Sequence, residues 1–437
     1  MILVYAENIT PRHRYIFDFI MEEILGLKYS FTASKEEFDD YNGPRFSYGE
    51  SPASKGLHFG SNPLLSETGI REQAIRVTQW NGIPVFFGVV GPSAMPFDPF
   101  ALSFYLITRY EEYLPFDADE HGRFPATSSL AYKEAFLELP LVDLIANQVK
   151  YLLQQHFPQL QFEARPFRLI PTFDIDIAFA HYGKGRIRAV MAWMKLVLTG
   201  KLGELKERLL TISGRISDPY DNFALQENLT VQNGFESIFF VLMGDFGKYD
   251  RNTSHKDPRF RKLLQRLSLH AELGIHPSYR SFLDLPVLLK EKGRLEEITG
   301  KPVLKNRFHF LRMKFPESCR LLLESGIRED YSMGYSTVNG FRAGTYLPFD
   351  FYDLQKEART ELRIHPFIFM DSALIDHLGY SPETALEKLD QLLSYPRKFG
   401  GEAIGIWHNY SLSEKHQYKG WRNVLQTVLE DSNNKSL

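Results

Sequence analysis

The stretch Arg168–Phe179, RLIPTFDIDIAF, decides the fold, because it has the pattern of a buried strand that ends in two acids. Asp174 and Asp176 stand two residues apart within this otherwise apolar run. Side chains alternate between the two faces of an extended strand, so both carboxylates are expected on the same face. Like charges on a buried face are unfavourable unless a cation or hydrogen bonds compensate them. The stretch therefore predicts a functional site at the end of a core strand.

Outward from this stretch, strand patterns alternate with helical patterns to the end of the chain. The strand candidates share apolar runs of strand length, and they are RLIPTFD, ESIFFVLMG, AELGIH, VLKNRFHF, GIREDYS, ELRIHPF and EAIGIWH. Amphipathic helical segments separate most of them, as expected for parallel β–α units. Residues 166–437 are therefore predicted to form an α/β domain of about seven parallel strands, closed or nearly closed into a (β/α) barrel.

Residues 1–160 have a different pattern and predict a smaller α/β accessory domain that precedes the barrel. They open with a short strand, MILVYA, and contain short strand candidates punctuated by Gly, Pro and Ser, together with two amphipathic helices. The acidic segment Tyr110–Pro125 follows one of these helices. Blocks of charge are usually solvated, so this segment is predicted to be an exposed loop, with a functional site as the alternative.

Composition narrows the class of protein. The chain has 437 residues and a net charge of −3, which favours neither nucleic acid nor anionic lipid as a partner. The one cysteine, Cys319, excludes an internal disulfide and a cysteine-rich metal site.

The N-terminus lacks a signal-peptide pattern, so a cytoplasmic enzyme is predicted. The basic segment His181–Phe223 is predicted to pack on the barrel as a helical excursion, with a lid or a membrane-surface helix as the alternatives.

Polar side chains recur where the predicted strands end. Besides the two acids, these positions hold histidines, namely His276, His309, His365 and His408. Active sites of such barrels lie at the carboxyl ends of the strands, so these side chains are expected to converge. One aspartate with two imidazoles is a ligand set for Zn²⁺ or a similar ion, and the other aspartate is then available as a base. The pattern predicts metal-assisted hydrolysis of an ester or amide.

Arg342 lies in a loop bounded by glycines, in GFRAGTYLPF. A fixed guanidinium can pair with a carboxylate and hold it ionised and oriented. We predict that Arg342 pairs with Asp174, and the alternative is a structural ion pair elsewhere.

Four of these motifs, in this order, resemble those of the polysaccharide deacetylases, carbohydrate esterase family 4. TFDID is similar to the family's first motif with one residue inserted between the acids, GIHPSYRS to the second, FRAGTYLPF to the third and IGIWHNY to the last. The resemblance covers about residues 166–430. It implies an incomplete barrel, a divalent metal ion that is usually zinc, and removal of acetyl groups from N-acetylated sugars.

The resemblance also implies roles for individual residues. By the matched motifs Asp174 is the general base, Arg342 orients it, and His408 is the general acid. Asp176 and His276 match metal ligands, whereas Arg280 stands where the second motif normally has its second histidine. The third ligand must then come from elsewhere, and we predict His309, with His365 as the alternative.

A closer likeness is to an uncharacterised bacterial branch of this family, in which an additional N-terminal domain precedes the barrel. The segments that carry it are RYEEYLP, residues 109–115, and HFLR, residues 309–312. The implied substrate is an N-acetylated glycan or a surface-polysaccharide precursor. Two alternatives remain, a non-catalytic glycan-binding protein and a glycoside hydrolase that uses only carboxylates, although carboxyls two residues apart suit the latter poorly. The sequence leaves the oligomeric state open.

Overall fold

The computed structural model describes residues 1–54, 56–183, 194 and 196–434, so residues 184–193 and 195 of the predicted basic excursion His181–Phe223 lie outside it. Within these ranges the α-helices, numbered α1 to α12 in chain order, are Pro11–Phe17, Lys35–Asp40, Pro99–Ile107, Leu130–Lys133, Leu141–His156, Leu202–Ile212, Phe223–Gln232, Pro258–His270, Leu285–Thr299, Glu317–Glu324, Pro382–Phe399 and Trp421–Asn434. Among the described helices, none has the length and apolar character needed to cross a lipid bilayer.

The strands, numbered β1 to β15, are Ile2–Tyr5, Tyr29–Thr32, Arg45–Gly49, Leu57–Gly60, Thr78–Trp80, Ile83–Val85, Phe167–Ile175, Ile238–Leu242, Glu272–His276, Lys305–Asn306, Glu329–Met333, Phe349–Asp353, Ala358–Pro366, Phe369–Met370 and Gly401–His408. In the part of the chain that the structure describes, they form three sheets: a four-stranded sheet in the order β2-β1-β3-β4, a nine-stranded sheet in the order β12-β13-β11-β10-β9-β8-β7-β15-β14, and the pair β5-β6.

The large sheet is mixed, which corrects the membership of the predicted parallel set. The segment ELRIHPF lies in β13, which pairs antiparallel with β12. The short strand β14, which the sequence analysis did not separate from its neighbours, pairs parallel with β15. The prediction failed here because an apolar run gives a strand its length and burial, whereas its direction depends on which strand it pairs with.

The chain divides into two compact units. The first comprises Met1–Pro166, Lys314–Pro316 and Gly340–Pro366, and the second comprises Phe167–Met313, Glu317–Asn339 and Phe367–Leu437. The predicted domains, residues 1–160 and 166–437, were each continuous. The structure differs, because two later segments of chain are assigned to the first unit. The hairpin β12–β13 falls within one of them.

In the first unit, the strand order β2-β1-β3-β4 with every pair parallel describes a small doubly wound sheet. The segment after α3 is not the exposed loop that its charges predicted. Tyr110 and Glu112 are buried, whereas Asp117 and Glu120, farther along, are exposed. Two arginines neutralise Glu112, which is why this carboxylate can be buried.

In the second unit, the seven strands β11-β10-β9-β8-β7-β15-β14 are consecutive in the sheet, and each neighbouring pair is parallel. Parallel pairing brings the carboxyl ends of the strands to one edge. The register places His408 opposite Asp174 and His276 opposite Leu242. Side chains that end neighbouring strands therefore lie close together, although they are far apart in the sequence.

Two local features let β15 pack closely against its neighbours β7 and β14. Pro171 of β7 has no N–H to give to the ladder, and the neighbouring Thr172 hydroxyl donates instead to the carbonyl of Gly405, the register partner of Pro171, at 2.8 Å. Gly405 itself lies against the ring of Phe369, and a Cβ there would be 2.1 Å from the ring. A larger residue at position 405 would separate β15 from its aromatic neighbour.

Candidate metal centre

The two aspartates of the opening stretch reach the same histidine. Asp174 is buried at the end of β7, and Asp176 follows just beyond the last strand residue. His276 Nε2 lies 3.2 Å from Asp176 Oδ1 and 4.0 Å from Asp174 Oδ2. Both carboxylates therefore approach one imidazole from the same side of the sheet, as the two-residue spacing predicts.

Three of the predicted ligand residues converge in space. The ligand atoms of Asp176, His276 and His309 all lie within 4.8 Å of one another, with His309 Nε2 3.8 Å from Asp176 Oδ2. His309 is contributed by a tight turn, His309–Leu311, because β10 ends earlier than the predicted strand VLKNRFHF. His365, the alternative third ligand, lies in β13 of the first unit.

The hydrogen bonds of the two histidines fix which ring nitrogen faces the centre. His276 Nδ1 lies 2.6 Å from the carbonyl oxygen of Arg307, which can only accept, so Nδ1 carries a proton. His309 Nδ1 lies 3.0 Å from Asp250 Oδ1, and a carboxylate likewise selects the Nδ1–H tautomer. Both Nε2 atoms are then left facing Asp176. Such outer hydrogen bonds are the usual means of orienting metal-binding histidines.

The donor set fits a divalent cation. Without one, the two Nε2 lone pairs face each other and a carboxylate, which is unfavourable unless a proton or a metal ion lies between them. Asp176 Oδ1 is buried and accepts no hydrogen bond from the described residues. Burial by itself would raise the pKa of Asp176, but the positive charge that His309, His276 and His408 carry when protonated lowers it well below its ordinary value. The carboxylate is therefore ionised and available to a cation, and one carboxylate oxygen with two imidazole nitrogens suits Zn²⁺.

His408 lies at the rim of this group and is held by a third carboxylate. Its Nδ1 is 2.6 Å from Asp371 Oδ1, its backbone N–H donates to Asp371 Oδ2 at 2.6 Å, and Ser411 donates to the same oxygen. Its Nε2 lies 3.8 Å from Asp176 Oδ2. Burial by itself would lower the pKa of His408, but Asp371 raises it to about 10, with smaller contributions from Asp176 and Asp174.

The guanidinium that donates to Asp174 is that of Arg307. Its Nη1 is 2.8 Å from Asp174 Oδ1, and both side chains are buried. Arg342, the predicted partner, donates instead to Glu112, with Nε 2.9 Å from Oε1 and Nη2 2.6 Å from Oε2. This bidentate pair is the alternative that the sequence left open for Arg342, and the predicted pairing with Asp174 is corrected accordingly.

Three site residues were missed by the sequence analysis: Arg307, Asp250 and Asp371. Asp371 directly follows the apolar strand β14, which is the same signal that identified the first two aspartates. Arg307 stands two residues before His309, in a segment interpreted as an ordinary strand. Asp250 lies in a loop whose charges follow no period, so the sequence carries no signal for it. Asp330, near the start of β11, is buried and accepts hydrogen bonds from Asn306 and Ser332.

Comparison with known proteins gives one family match and several structural likenesses. Residues 2–158 match a family of unknown function, DUF7033. No curated protein matches the chain. Among solved structures, a protein described as a polysaccharide deacetylase from Mycobacterium smegmatis has 14% identity and a TM-score of 0.38, covering 62% of this chain and 86% of its own.

Two further solved structures are similar at the same level. A protein described as a polysaccharide deacetylase from Pseudomonas aeruginosa PAO1 has 12% identity and a TM-score of 0.38, over 61% of this chain and 85% of its own. A polysaccharide deacetylase from Bacillus cereus has 10% identity and a TM-score of 0.29, over 61% of this chain and 88% of its own. These scores are low, so function has to be inferred from the site.

Proposed function

We propose that this protein is a metal-dependent hydrolase that removes acetyl groups from N-acetylated sugars of a glycan. The observation that carries the proposal is the convergence of Asp176 with the Nε2 atoms of His276 and His309, each oriented by a hydrogen bond at Nδ1. The motif resemblance to the polysaccharide deacetylases supports the choice of an acetamido sugar as the substrate class.

In this proposal Asp176, His276 and His309 hold a divalent cation, and zinc is the ion that suits them best. When bound, the cation would supply Lewis-acid polarisation of the acyl group and would make water a stronger acid. Asp174 lies on the same side of the sheet as the three ligands and accepts a proton from the attacking water. Arg307 holds the Asp174 carboxylate in place through a 2.8 Å hydrogen bond from a fully buried guanidinium.

His408 is the proposed general acid. Asp371 accepts a hydrogen bond from the Nδ1–H of His408, so Nε2 is the nitrogen that can carry a proton to the leaving amine. Asp371 and Ser411 fix the position of the imidazole through the backbone as well as through the ring.

The carboxylates of Asp174 and Asp176 approach one histidine, His276, from the same side, whereas a glycosidase needs two carboxyls on opposite sides of the scissile bond. Deacetylation therefore suits the site better than glycoside hydrolysis.

The test is metal analysis combined with an acetate-release assay on N-acetylated oligosaccharides. We expect the purified protein to bind one zinc, cobalt or nickel ion per chain, to release acetate, and to lose this activity in chelator. Asp176→Ala should lose the ion. Asp174→Asn should keep the ion and lose about 10²- to 10⁴-fold in kcat. No acetate release from the metal-reconstituted protein, with any of the three ions, would overturn the proposal.

A further inference from the structure

The part of the second unit between β7 and α7 exposes apolar side chains that the proposed chemistry does not use. Seven large apolar side chains, which we call the exposed apolar segment, are each at least 40% exposed: Met194, Val197, Leu198, Leu202, Leu209, Ile212 and Ile216. Elsewhere in the described chain, exposed side chains of this kind are scattered along the sequence. Single exposed apolar residues are normal on a protein surface, whereas a group of them marks an interaction surface.

Helix α6 is oriented opposite to an ordinary surface helix. Its buried residues are Arg208 and Thr211. Leu202, Leu209 and Ile212, which share the apolar face of the helix, are exposed instead. An amphipathic helix on a globular protein normally turns its apolar face to the core, because the burial of leucine and isoleucine is favourable. The apolar face of α6 is therefore available to a surface outside the chain.

Polar contacts attach α6 to the second unit on the side away from its leucines. The Tyr182 hydroxyl donates to the carbonyl of Thr211, and Lys415 Nζ donates to Glu207 Oε2 at 3.1 Å. Glu207 and Thr211 each stand two residues from Leu209, which places them about 200° around the helix from it. These contacts hold the polar side of α6 against the unit, so the apolar side points outward.

The exposed apolar segment lies in a basic part of the sequence. From Lys184 to Ile216 the sequence has eight lysines and arginines and two glutamates, a net charge of +6 in a chain whose net charge is −3. Lys206 and Arg215 are exposed among the apolar positions. Surfaces that bind each other have complementary charge, so a partner that covers this segment is apolar in part and negatively charged in part.

We infer that the exposed apolar segment docks this protein on the surface of an anionic lipid bilayer. Apolar side chains of an interfacial helix enter the boundary between headgroups and acyl chains, while the lysines and arginines beside them contact lipid phosphates. A second copy of this chain fits less well, since a two-fold interface centred on this segment would bring the basic residues of both copies together. Docking is separate from the proposed hydrolysis, because no residue of the segment belongs to the candidate metal centre.

The experiment is cosedimentation of the full-length protein with vesicles of two compositions, phosphatidylcholine alone and a mixture of phosphatidylcholine with phosphatidylglycerol. We expect the anionic vesicles to bind at least about tenfold more tightly, and added salt to weaken this binding.

The double variant Leu198→Gln/Leu202→Gln tests the apolar contribution. These side chains are 85% and 68% exposed, so their replacement should leave the fold intact, which circular dichroism checks. We expect affinity for the anionic vesicles to fall at least about tenfold, because two apolar side chains no longer enter the bilayer boundary. The matched control is Leu269→Gln, which replaces a leucine of α8 that is 72% exposed, and it should bind like the parent.

The double variant Lys206→Gln/Arg215→Gln tests the contribution of charge. We expect it to lose about tenfold in affinity for the anionic vesicles and to bind phosphatidylcholine vesicles like the parent. Unchanged affinity for the anionic vesicles in this variant, or in the leucine double variant, would overturn the inference.

Sedimentation velocity without lipid distinguishes the other occupants of this surface. If the parent is a dimer that Leu198→Gln/Leu202→Gln converts to a monomer, and it does not bind vesicles, the surface is an interface between copies and the inference is wrong. A monomeric parent that does not bind the anionic vesicles also overturns the inference and leaves an acidic protein as the partner. Vesicle binding requires no turnover, so the result stands whether or not acetate is released.

Discussion

Arg307 shows how one buried side chain can organise several strands. Its Nη1 donates to Thr172 Oγ1 and to Asp174 Oδ1, each at 2.8 Å, and its Nε donates to the carbonyl of Tyr331 at 2.9 Å. The guanidinium also lies 4.3 Å from the ring centroid of Phe240. Only arginine has donors in the fixed geometry that these acceptors require. Arg307 therefore determines where the Asp174 carboxylate points.

We predict that Arg307→Lys lowers kcat by about 10²-fold, because an ammonium group cannot hold Asp174 and the two other acceptors together, and small misplacements of a base are costly. The measurement is kcat and KM for acetate release, with folding checked by circular dichroism. Arg342→Lys is the matched control, because Arg342 pairs with Glu112, and it should retain kcat. Equal losses of kcat in the two folded variants would contradict a positioning role for Arg307.

Asp250 is the residue whose role is best tested through metal affinity. It accepts from His309 Nδ1 at 3.0 Å, and its removal should let the imidazole rotate or change tautomer. We predict that Asp250→Asn weakens zinc binding about 10- to 100-fold, measured by competition with a chromophoric chelator. Asp245→Asn is the control in the same loop, since Asp245 is exposed and pairs with Lys290 and Arg294. Zinc affinity that is the same in both variants would refute the role.

At the scale of single residues, part of the site could be predicted from the sequence. Asp174, Asp176, His276 and His408 could be predicted to meet because each ends a strand, and parallel strands end at one edge of a sheet. Arg307 could not, because nothing in its local pattern distinguishes a guanidinium that crosses to β7 from one that faces solvent. Long side chains reach partners that tertiary geometry alone selects.

At the scale of elements, the turn after α3 is a buried ionic cluster. Glu112 accepts from Arg109 Nε at 2.8 Å and from two nitrogens of Arg342, and all three side chains are buried. The sequence pattern predicted a solvated loop, because charge density is all that a local pattern records. Arg342 follows Glu112 by 230 residues, and no local signal links them.

We predict that Glu112→Gln destabilises the protein by about 3–5 kcal/mol, because two buried guanidiniums would then face a neutral amide. The measurement is chemical denaturation followed by near-ultraviolet circular dichroism. Glu120→Gln is the control, since the Glu120 side chain is 87% exposed in the same segment, and it should stay within about 0.5 kcal/mol of the parent. A loss for Glu112→Gln no larger than that for Glu120→Gln would contradict the cluster's structural role.

Helix α5 carries a buried acid that makes stability depend on pH. Burial raises the pKa of Asp143 to about 7, and it outweighs the opposing effects of the Thr345 hydroxyl and Arg165. Because this pKa is above the ordinary value of 3.8, the folded state keeps a proton that the unfolded state releases between about pH 4 and 7. The group therefore costs stability as pH rises through this window, by about 1.4 kcal/mol per pH unit, and the full cost is present above pH 7.

We predict that Asp143→Asn removes this cost. The variant should unfold at nearly the same temperature as the parent at pH 4, and at a higher temperature at pH 8, because asparagine stays neutral while Asp143 ionises. The measurement is the midpoint of thermal unfolding from pH 4 to 8 in both proteins. A difference in midpoint that does not change with pH would contradict the assignment to Asp143.

At the scale of the whole molecule, neither compact unit is one continuous segment of the chain. The change of sequence pattern near residue 160 predicted a single division of the chain, because local patterns can only reveal continuous segments. The first unit also contains Gly340–Pro366, which returns to it after the chain has built most of the second unit. Its contacts join residues that are far apart in the sequence, and a local sequence pattern does not encode such contacts.

The returning segment, Gly340–Pro366, supplies partners for buried residues of the first unit, and a fragment that lacks it tests this contribution. Glu357 neutralises the buried Arg12, Arg342 pairs with Glu112, and the Phe341 N–H donates to the carbonyl of Leu137. A fragment of residues 1–166 loses all three contacts. Arg12 is left buried without its carboxylate, and Glu112 keeps Arg109 but loses its bidentate partner, at a total cost of several kcal/mol. Since small domains have only 5–15 kcal/mol of stability, we predict that the fragment does not unfold cooperatively. Appending residues 340–366 through a flexible Gly/Ser linker should restore cooperative thermal unfolding and near-ultraviolet circular dichroism, because it returns the partners of Arg12 and Glu112. Cooperative unfolding of the 1–166 fragment by itself would show that the returning segment is an addition to the first unit and not a part of its core.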